Sequence, residues 1–150
     1  MKNKLKLIIV IFFSLIFNFK HASSDEFKFE ASEIQVLNNG NIIKATDGVK
    51  IISDAKVEII ADEFIYDKIE SLLTAKGNVI FFDPVNKINI QAKKVFYLKE
   101  SEEITAKGNV NFLDSVNKIN IQAEEIIYLK KDEEIIAKKN VKLVDSINKI

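Results

Sequence analysis

Residues 89–119 recur almost residue for residue at 120–150, so the chain must fold as a tandem repeat whose units share one local geometry. The two copies set Ile90-Gln91-Ala92 against Ile121-Gln122-Ala123 and Tyr97-Leu98-Lys99 against Tyr128-Leu129-Lys130. They also set Val116-Asn117-Lys118-Ile119 against Ile147-Asn148-Lys149-Ile150. An earlier copy stands 31 residues upstream, in Ile59, Ala61, Phe64, Tyr66, residues 74–79, Asp83 and Asn86-Lys87-Ile88. A fainter, shorter one opens the series with Ala31, Glu33 and Ile34 ahead of Lys44-Ala45-Thr46-Asp47-Gly48-Val49. Four units span Phe27 to Ile150, and function is to be sought in a repeated surface rather than in one catalytic constellation.

The units carry a period of two. Ile104, Ala106, Gly108, Val110 and Phe112 alternate with Thr105, Lys107, Asn109 and Asn111, the pattern of a strand with one apolar and one polar face. In the other half of the unit Ile88, Ile90 and Ala92 keep one parity while Val95 and Tyr97 keep the other, which predicts a bulge or bend at Lys93-Lys94. The equivalent pairs Asp62-Glu63 and Glu124-Glu125 are also charged, as residues turned to water at a kink should be. Hairpin loops are expected at Asp83-Pro84-Val85-Asn86-Lys87, at Asp114-Ser115-Val116-Asn117-Lys118 and at residues 145–149. There Asp opens the turn and Asn sits where a left-handed residue is tolerated. The second turn of each unit is acidic, as in residues 99–103 and 130–134, and Asn38-Asn39-Gly40-Asn41 takes its place in the first. Each unit is therefore expected to be a long kinked hairpin.

The first 24 residues are of another kind. Lys2, Lys4 and Lys6 precede the apolar run Leu7 to Phe17, and Ala22-Ser23-Ser24 offers small residues for cleavage after Ser24. This is a secretory signal pattern, with a run short for a membrane span, although retention as an anchor is the alternative. Export leaves residues 25–150 as the mature domain, with 18 lysines against 22 acidic residues, a net charge of −4. That balance argues against a nucleic-acid partner. The only histidine is His21, in the signal, and there is no Cys, Trp or Arg. Metal centres and histidine-based catalysis lose their usual ligands and bases, and no cofactor is expected. Paired carboxylates such as Glu102-Glu103 and Glu133-Glu134 sit on acidic turns, where solvation rather than glycoside cleavage is their usual role.

What the repeat preserves is an apolar stripe: Phe64, Tyr66, Val79, Phe81, Val95, Tyr97, Val110, Phe112, Ile126 and Tyr128. Plain core packing is the bland account of any one of them. A tyrosine at the same place in three units, with an apolar body and a polar tip, also suits a rim where lipid tails meet water. The stripe is accordingly a candidate lipid-binding groove.

The motif Ala61-Asp62-Glu63-Phe64-Ile65-Tyr66-Asp67, followed by Ala75-Lys76-Gly77-Asn78-Val79 and recurring with a period near thirty, resembles the OstA-like domain of the lipopolysaccharide transport proteins. That domain makes up the periplasmic bridge protein LptA and the N-terminal periplasmic part of the outer-membrane assembly protein LptD. Residues 27–34 with Asn39-Gly40-Asn41-Ile42-Ile43 look more like the LptD version. The resemblance covers Phe27 to Ile150. It implies a twisted open β-jellyroll, non-enzymatic, whose interior shields the acyl chains of lipid A while the sugars stay outside. It also implies periplasmic location, outer-membrane association if the chain is of the LptD type, and head-to-tail joining with other OstA-like jellyrolls.

Two features depart from that pattern. The glycine present as Gly77 and Gly108 is Lys139 in the last unit, at a cost of about 1 kcal/mol if the position needs positive φ. The sequence also stops at Ile150, just after a turn, which suggests a fragment of a longer chain or a frayed last hairpin. The unpaired edges of an open jellyroll favour strand addition by a partner, while lysine and glutamate on the outer faces would oppose unregulated stacking. A structural or adhesive β-solenoid remains the alternative of another class, separable by lipid binding.

Overall fold

A computed structural model describes residues 27–53 and 56–145; the signal-type segment and residues 146–150 of the last turn lie outside the described residues. Strands β1 (Lys28–Glu30), β2 (Glu33–Leu37), β3 (Ile42–Ile52), β4 (Glu58–Asp67) and β5 (Leu72–Asp83) are followed by β6 (Ile88–Leu98), β7 (Glu103–Asp114), β8 (Ile119–Leu129), β9 (Glu134–Lys138) and β10 (Lys142–Asp145). They form a single antiparallel sheet. From β3 to β8 every strand pairs with its sequence neighbours, as short hairpin turns dictate. At one edge β1 and β2 pair with different halves of β3, and at the other β9 and β10 divide β8 in the same way. The bounds of β5 and β7 differ by 31 residues, as do those of β6 and β8, so the repeat in the sequence is the repeat in the fold. The architecture is the all-β, twisted open jellyroll of tandem kinked hairpins.

The kink is a bulge, and the extra residue lies on the strand opposite the charged pairs. Lys76 pairs with Lys94 and Val79 with Ala92, so Gly77 and Asn78 together face Lys93 alone. Gly108 and Asn109 face Glu124 in the same way. All four bulge residues are left-handed, with φ of 77°, 47°, 83° and 49° in chain order. The expected irregularity at Lys93-Lys94 is therefore present, and the structure adds that the extra residue is supplied by the partner strand. Glycine is needed at 77 for a second reason, since a β-carbon there would overlap the Asp62 carboxylate. Lys139 and Asn140 adopt the same conformation without a glycine, at φ of 63° and 54°, and the strand is interrupted there into β9 and β10.

The Asp turns also differ in one detail from their sequence reading. Asp83 Oδ1 accepts hydrogen bonds from the Val85 and Asn86 amides at 2.9 and 3.1 Å, and Asp83 Oδ2 accepts one from Asn86 Nδ2 at 2.9 Å. Asp114 repeats the set with Val116 and Asn117. The asparagine side chain is thus engaged by the aspartate, and the left-handed residue is the lysine that follows, Lys87 at φ 53° and Lys118 at φ 58°. Both aspartates are buried, a placement the three hydrogen bonds make tolerable.

Because the bulges align across neighbouring strands, the sheet bends along one line and its two halves face each other. We call the half carrying the Asp turns the lower layer and the half carrying the acidic turns the upper layer. Ile51, Ile59, Phe81, Ile90 and Phe112 are buried from the lower layer and Phe64, Leu73, Val95, Ile104 and Ile126 from the upper. Each such side chain contributes on the order of 1.5–3 kcal/mol on burial. On the outside, Glu63 bridges Lys44 at 3.4 Å and Lys76 at 3.0 Å across three strands.

Candidate functional site

The apolar interior between the layers is the candidate site. All ten residues of the stripe face it: Val79, Phe81, Val110 and Phe112 from the lower layer, the other six from the upper. Nine are buried and Tyr66 is half-buried. The sequence pattern did not show how they meet. Each tyrosine of the upper layer touches phenylalanine of the lower: Tyr97 with Phe81 at 6.2 Å and Tyr128 with Phe112 at 5.5 Å, both edge-on. In the first unit, which is one residue shorter, the counterpart of Phe81 is Ile51, and Phe27 supplies the aromatic partner instead, 5.0 Å from Tyr66 and 6.2 Å from Tyr97. Such edge-to-face pairs hold the layers together by about 0.5–1.5 kcal/mol each beyond their burial.

Opposite the bend, the two rows of turns approach along a lateral seam. Lys130 Nζ, from the end of the upper layer, lies 2.9 Å from Asp83 Oδ2 of the lower, and Asp83 is fully buried. Burial opposes ionisation of Asp83, but the hydrogen bonds from Lys130 and Asn86 outweigh it and hold the carboxyl below the usual carboxylate range. Beside this ion pair a cavity of about 440 Å³ opens between the turns. Ile88, Ile135 and Tyr128 supply apolar surface there, Asp114, Asn117 and Glu133 a polar rim. Burial, and then the charges of Asp83 and Asp114, raise the Tyr128 phenol above its ordinary value; burial and Asp67 do the same for Tyr66. Both remain neutral, with apolar bodies inward.

The interior is also exposed at both ends of the sheet. Ile34 and Val36 of β2, opposite the inward Ala45 and Ile43, are 47% and 62% exposed. Leu143 of β10, opposite Ile121, is 63% exposed. The apolar interior therefore reaches both open edges, through its upper layer at β2 and its lower layer at β10, and is buried in between.

Sequence reasoning missed Lys130, Phe27 and Phe29, whose ring lies 6.4 Å from that of Tyr66, as members of the site and treated Asp83 only as a turn residue. Lys130 lies 47 positions from Asp83, a spacing unrelated to the repeat, so no periodic signal could have linked them. The carboxylate pairs lie outside the buried interior: Glu103 accepts a hydrogen bond from Thr105 Oγ1 at 3.2 Å, and Glu133, at the rim of the seam cavity, and Glu134, at the start of β9, are exposed. Among the described residues no cluster of three or more His, Cys, Asp or Glu could hold a metal ion.

The chain is similar in structure to LptH, the LptA-homologous periplasmic component of the conserved lipopolysaccharide transport device from Pseudomonas aeruginosa. The TM-score is 0.71 at 9% sequence identity, over 80% of this chain and 94% of that one. At this identity the likeness establishes the fold. No family model and no curated protein sequence matches the chain.

Proposed function

We propose that this protein is a periplasmic conduit for lipopolysaccharide, holding lipid A acyl chains between its two layers as part of a transport path. The observation that carries the proposal is the continuity of the apolar interior, exposed at Ile34 and Val36 of the upper layer on one edge and at Leu143 of the lower layer on the other and buried between them. A closed structural repeat has no need of apolar interior residues at both ends, where charge normally blunts an edge. Acyl chains enter by separating the Tyr–Phe pairs and replacing one apolar contact with another, so the exchange leaves little net desolvation cost. The work is passive transfer: no covalent step and no cofactor take part, and directionality comes from elsewhere.

Two settings fit. The likeness of residues 27–34 to LptD supports an N-terminal periplasmic domain of that type, associated with the outer membrane. The correspondence with nearly the full length of LptH supports a stand-alone bridge of the LptA type. In both, residues 1–24 act as a cleaved export signal, 25–150 form the jellyroll, and the unpaired outer edges of β1–β2 and β9–β10 take up strands of neighbouring OstA-like jellyrolls head to tail.

The proposal is tested by co-purification of lipopolysaccharide with Tyr97→Glu and Lys107→Glu variants, each checked for folding by circular dichroism. Tyr97 faces the interior and Lys107 the exterior, beside Glu125. Loss of lipid from the Tyr97 variant alone supports the conduit; equal retention or equal loss in both sinks the groove assignment.

A further inference from the structure

The outer side of the lower layer carries no charge across its four central strands between the turns and the bend. One row, in direct cross-strand register, reads Phe82, Asn89, Leu113 and Asn120. The next reads Ile80, Gln91, Asn111 and Gln122. In a chain that is 29% charged this is a local departure, because the outer side of the same strands in the upper layer carries Lys76, Lys94, Glu103, Lys107 and Glu125. Depletion of charge, with an aromatic residue in the field, is the compositional mark of a recognition surface.

Two further observations fall on the same face. The Oδ1 atoms of Asn111 and Asn120 are buried and accept no hydrogen bond, the only such side-chain atoms found among the described residues. Buried acceptors without partners are uncommon in native folds, so turning either carboxamide toward a donor on the surface breaks no hydrogen bond of its Oδ1. The surface is also indented by two cavities of about 390 and 370 Å³. Asn111, Gln122 and Asn140 line one, with Glu124 and Lys142 at its rim; Gln91, Asn78 and Asn109 line the other, with Lys93 at its rim. Their linings correspond through the 31-residue repeat, so the cavities lie two strands apart, roughly 9.5 Å at the usual strand spacing.

We propose that this face binds a neutral, hydroxyl-rich glycan lying across β5 to β8. Carboxamides donate and accept together, as sugar hydroxyls do, and Asn111 and Asn120 can turn toward a hydroxyl without giving up an Oδ1 hydrogen bond. Phe82 and Leu113 offer apolar ground for the C–H faces of sugar rings. The two rows carry no ionic group, the charges at the cavity rims are of both signs, Lys93 at one and Glu124 and Lys142 at the other, and a two-strand period suits a polymer that repeats every pair of rings. A flat protein partner would cover the apolar positions but leave the two cavities empty. The inference goes beyond the conduit, which concerns acyl chains in the interior.

Acyl-free probes separate the two. The full chain, labelled with nitrogen-15, is titrated with maltohexaose and, separately, with the polysaccharide released from lipopolysaccharide by mild acid. The side-chain amide resonances of Gln91, Asn111, Asn120 and Gln122 are expected to shift with at least one probe. Response to both assigns a general neutral-glycan surface; response to the released polysaccharide alone assigns the sugar part of lipopolysaccharide as the source. Asn111→Ala with Asn120→Ala is expected to weaken the response at least tenfold, and Gln91→Ala with Gln122→Ala, on exposed positions, provides the same test without touching buried atoms. Absence of shifts with both probes at millimolar concentration, or shifts that both variants retain, overturns the proposal.

Discussion

The ring of Phe81 lies 6.2 Å from that of Tyr97, although Phe81 pairs across the sheet with Ile90, seven residues earlier on the same strand. Seven residues of extended strand would separate the two by roughly 23 Å. The contact therefore exists only because the bulge folds the sheet back on itself, and it closes the interior in which a ligand must be accommodated. Phe81→Ala is expected to destabilise the protein by about 3–5 kcal/mol, as truncation of a buried phenylalanine does. If acyl chains occupy the interior, saturating lipid should recover part of that loss, measured as a larger ligand-induced rise in Tm for the variant than for the parent.

The ion pair across the seam predicts an asymmetry between its partners. Lys130→Met leaves the Asp83 carboxylate buried without its countercharge, and the expected loss is about 3 kcal/mol. Asp83→Asn combined with Lys130→Met removes both charges and should cost less than Lys130→Met alone. Urea denaturation of the three proteins at neutral pH measures both differences.

Acid should loosen the same seam. The Asp83 carboxyl is held below its ordinary value in the folded state, so its contribution is complete at and above the unfolded value, about 3.9, and is lost as pH falls through the folded one. Stability of the parent should therefore fall below about pH 4 by more than that of Asp83→Asn, which has no such group to protonate. Parallel slopes for the two proteins in that range would remove Asp83 from the account.

The bulges predict a ranking among three glycine substitutions. Gly77→Ala meets both a left-handed φ and the Asp62 carboxylate, whereas Gly108→Ala meets the φ and the flexible side chain of Lys93 at 3.0 Å. The first should cost about 1–3 kcal/mol more than the second, which itself costs about 1 kcal/mol. Lys139→Gly, at φ 63°, should stabilise by up to about 1 kcal/mol. Thermal unfolding of the three variants gives the order.

How much of this was legible in the sequence depends on whether the cause was local. Alternation through Ile104 to Phe112 gave the strands, and the parity switch between Ile90 and Val95 gave the height of the bend. It did not give the strand that carries the extra residue, because Ala75 and Val79 keep one parity straight through Gly77 and Asn78 and look regular. The left-handed lysines of the turns were hidden by asparagines whose side chains are taken up by Asp83 and Asp114. The Tyr–Phe contacts and the Asp83–Lys130 pair arise from folding one layer onto the other, which no period within one unit encodes. The stripe residues share one interior, as the pattern suggested, and their packing against each other is what only the folded sheet displays.

The open edges predict association through β2 and β10. Ile34→Lys with Val36→Lys places charge at the exposed end of the apolar row. The pair should abolish concentration-dependent self-association in sedimentation velocity while leaving the fold intact. Unchanged association would move the contact to another surface.

The central claim is that acyl chains occupy the space between the layers. A photoreactive residue placed in turn at Phe81, Tyr97, Phe112 and Lys107 of the folded mature protein, followed by irradiation with lipopolysaccharide, tests it most directly. The account predicts adducts at the three interior positions and none at Lys107. Absence of adducts at all three, or equal labelling of Lys107, would leave a closed core and contradict it.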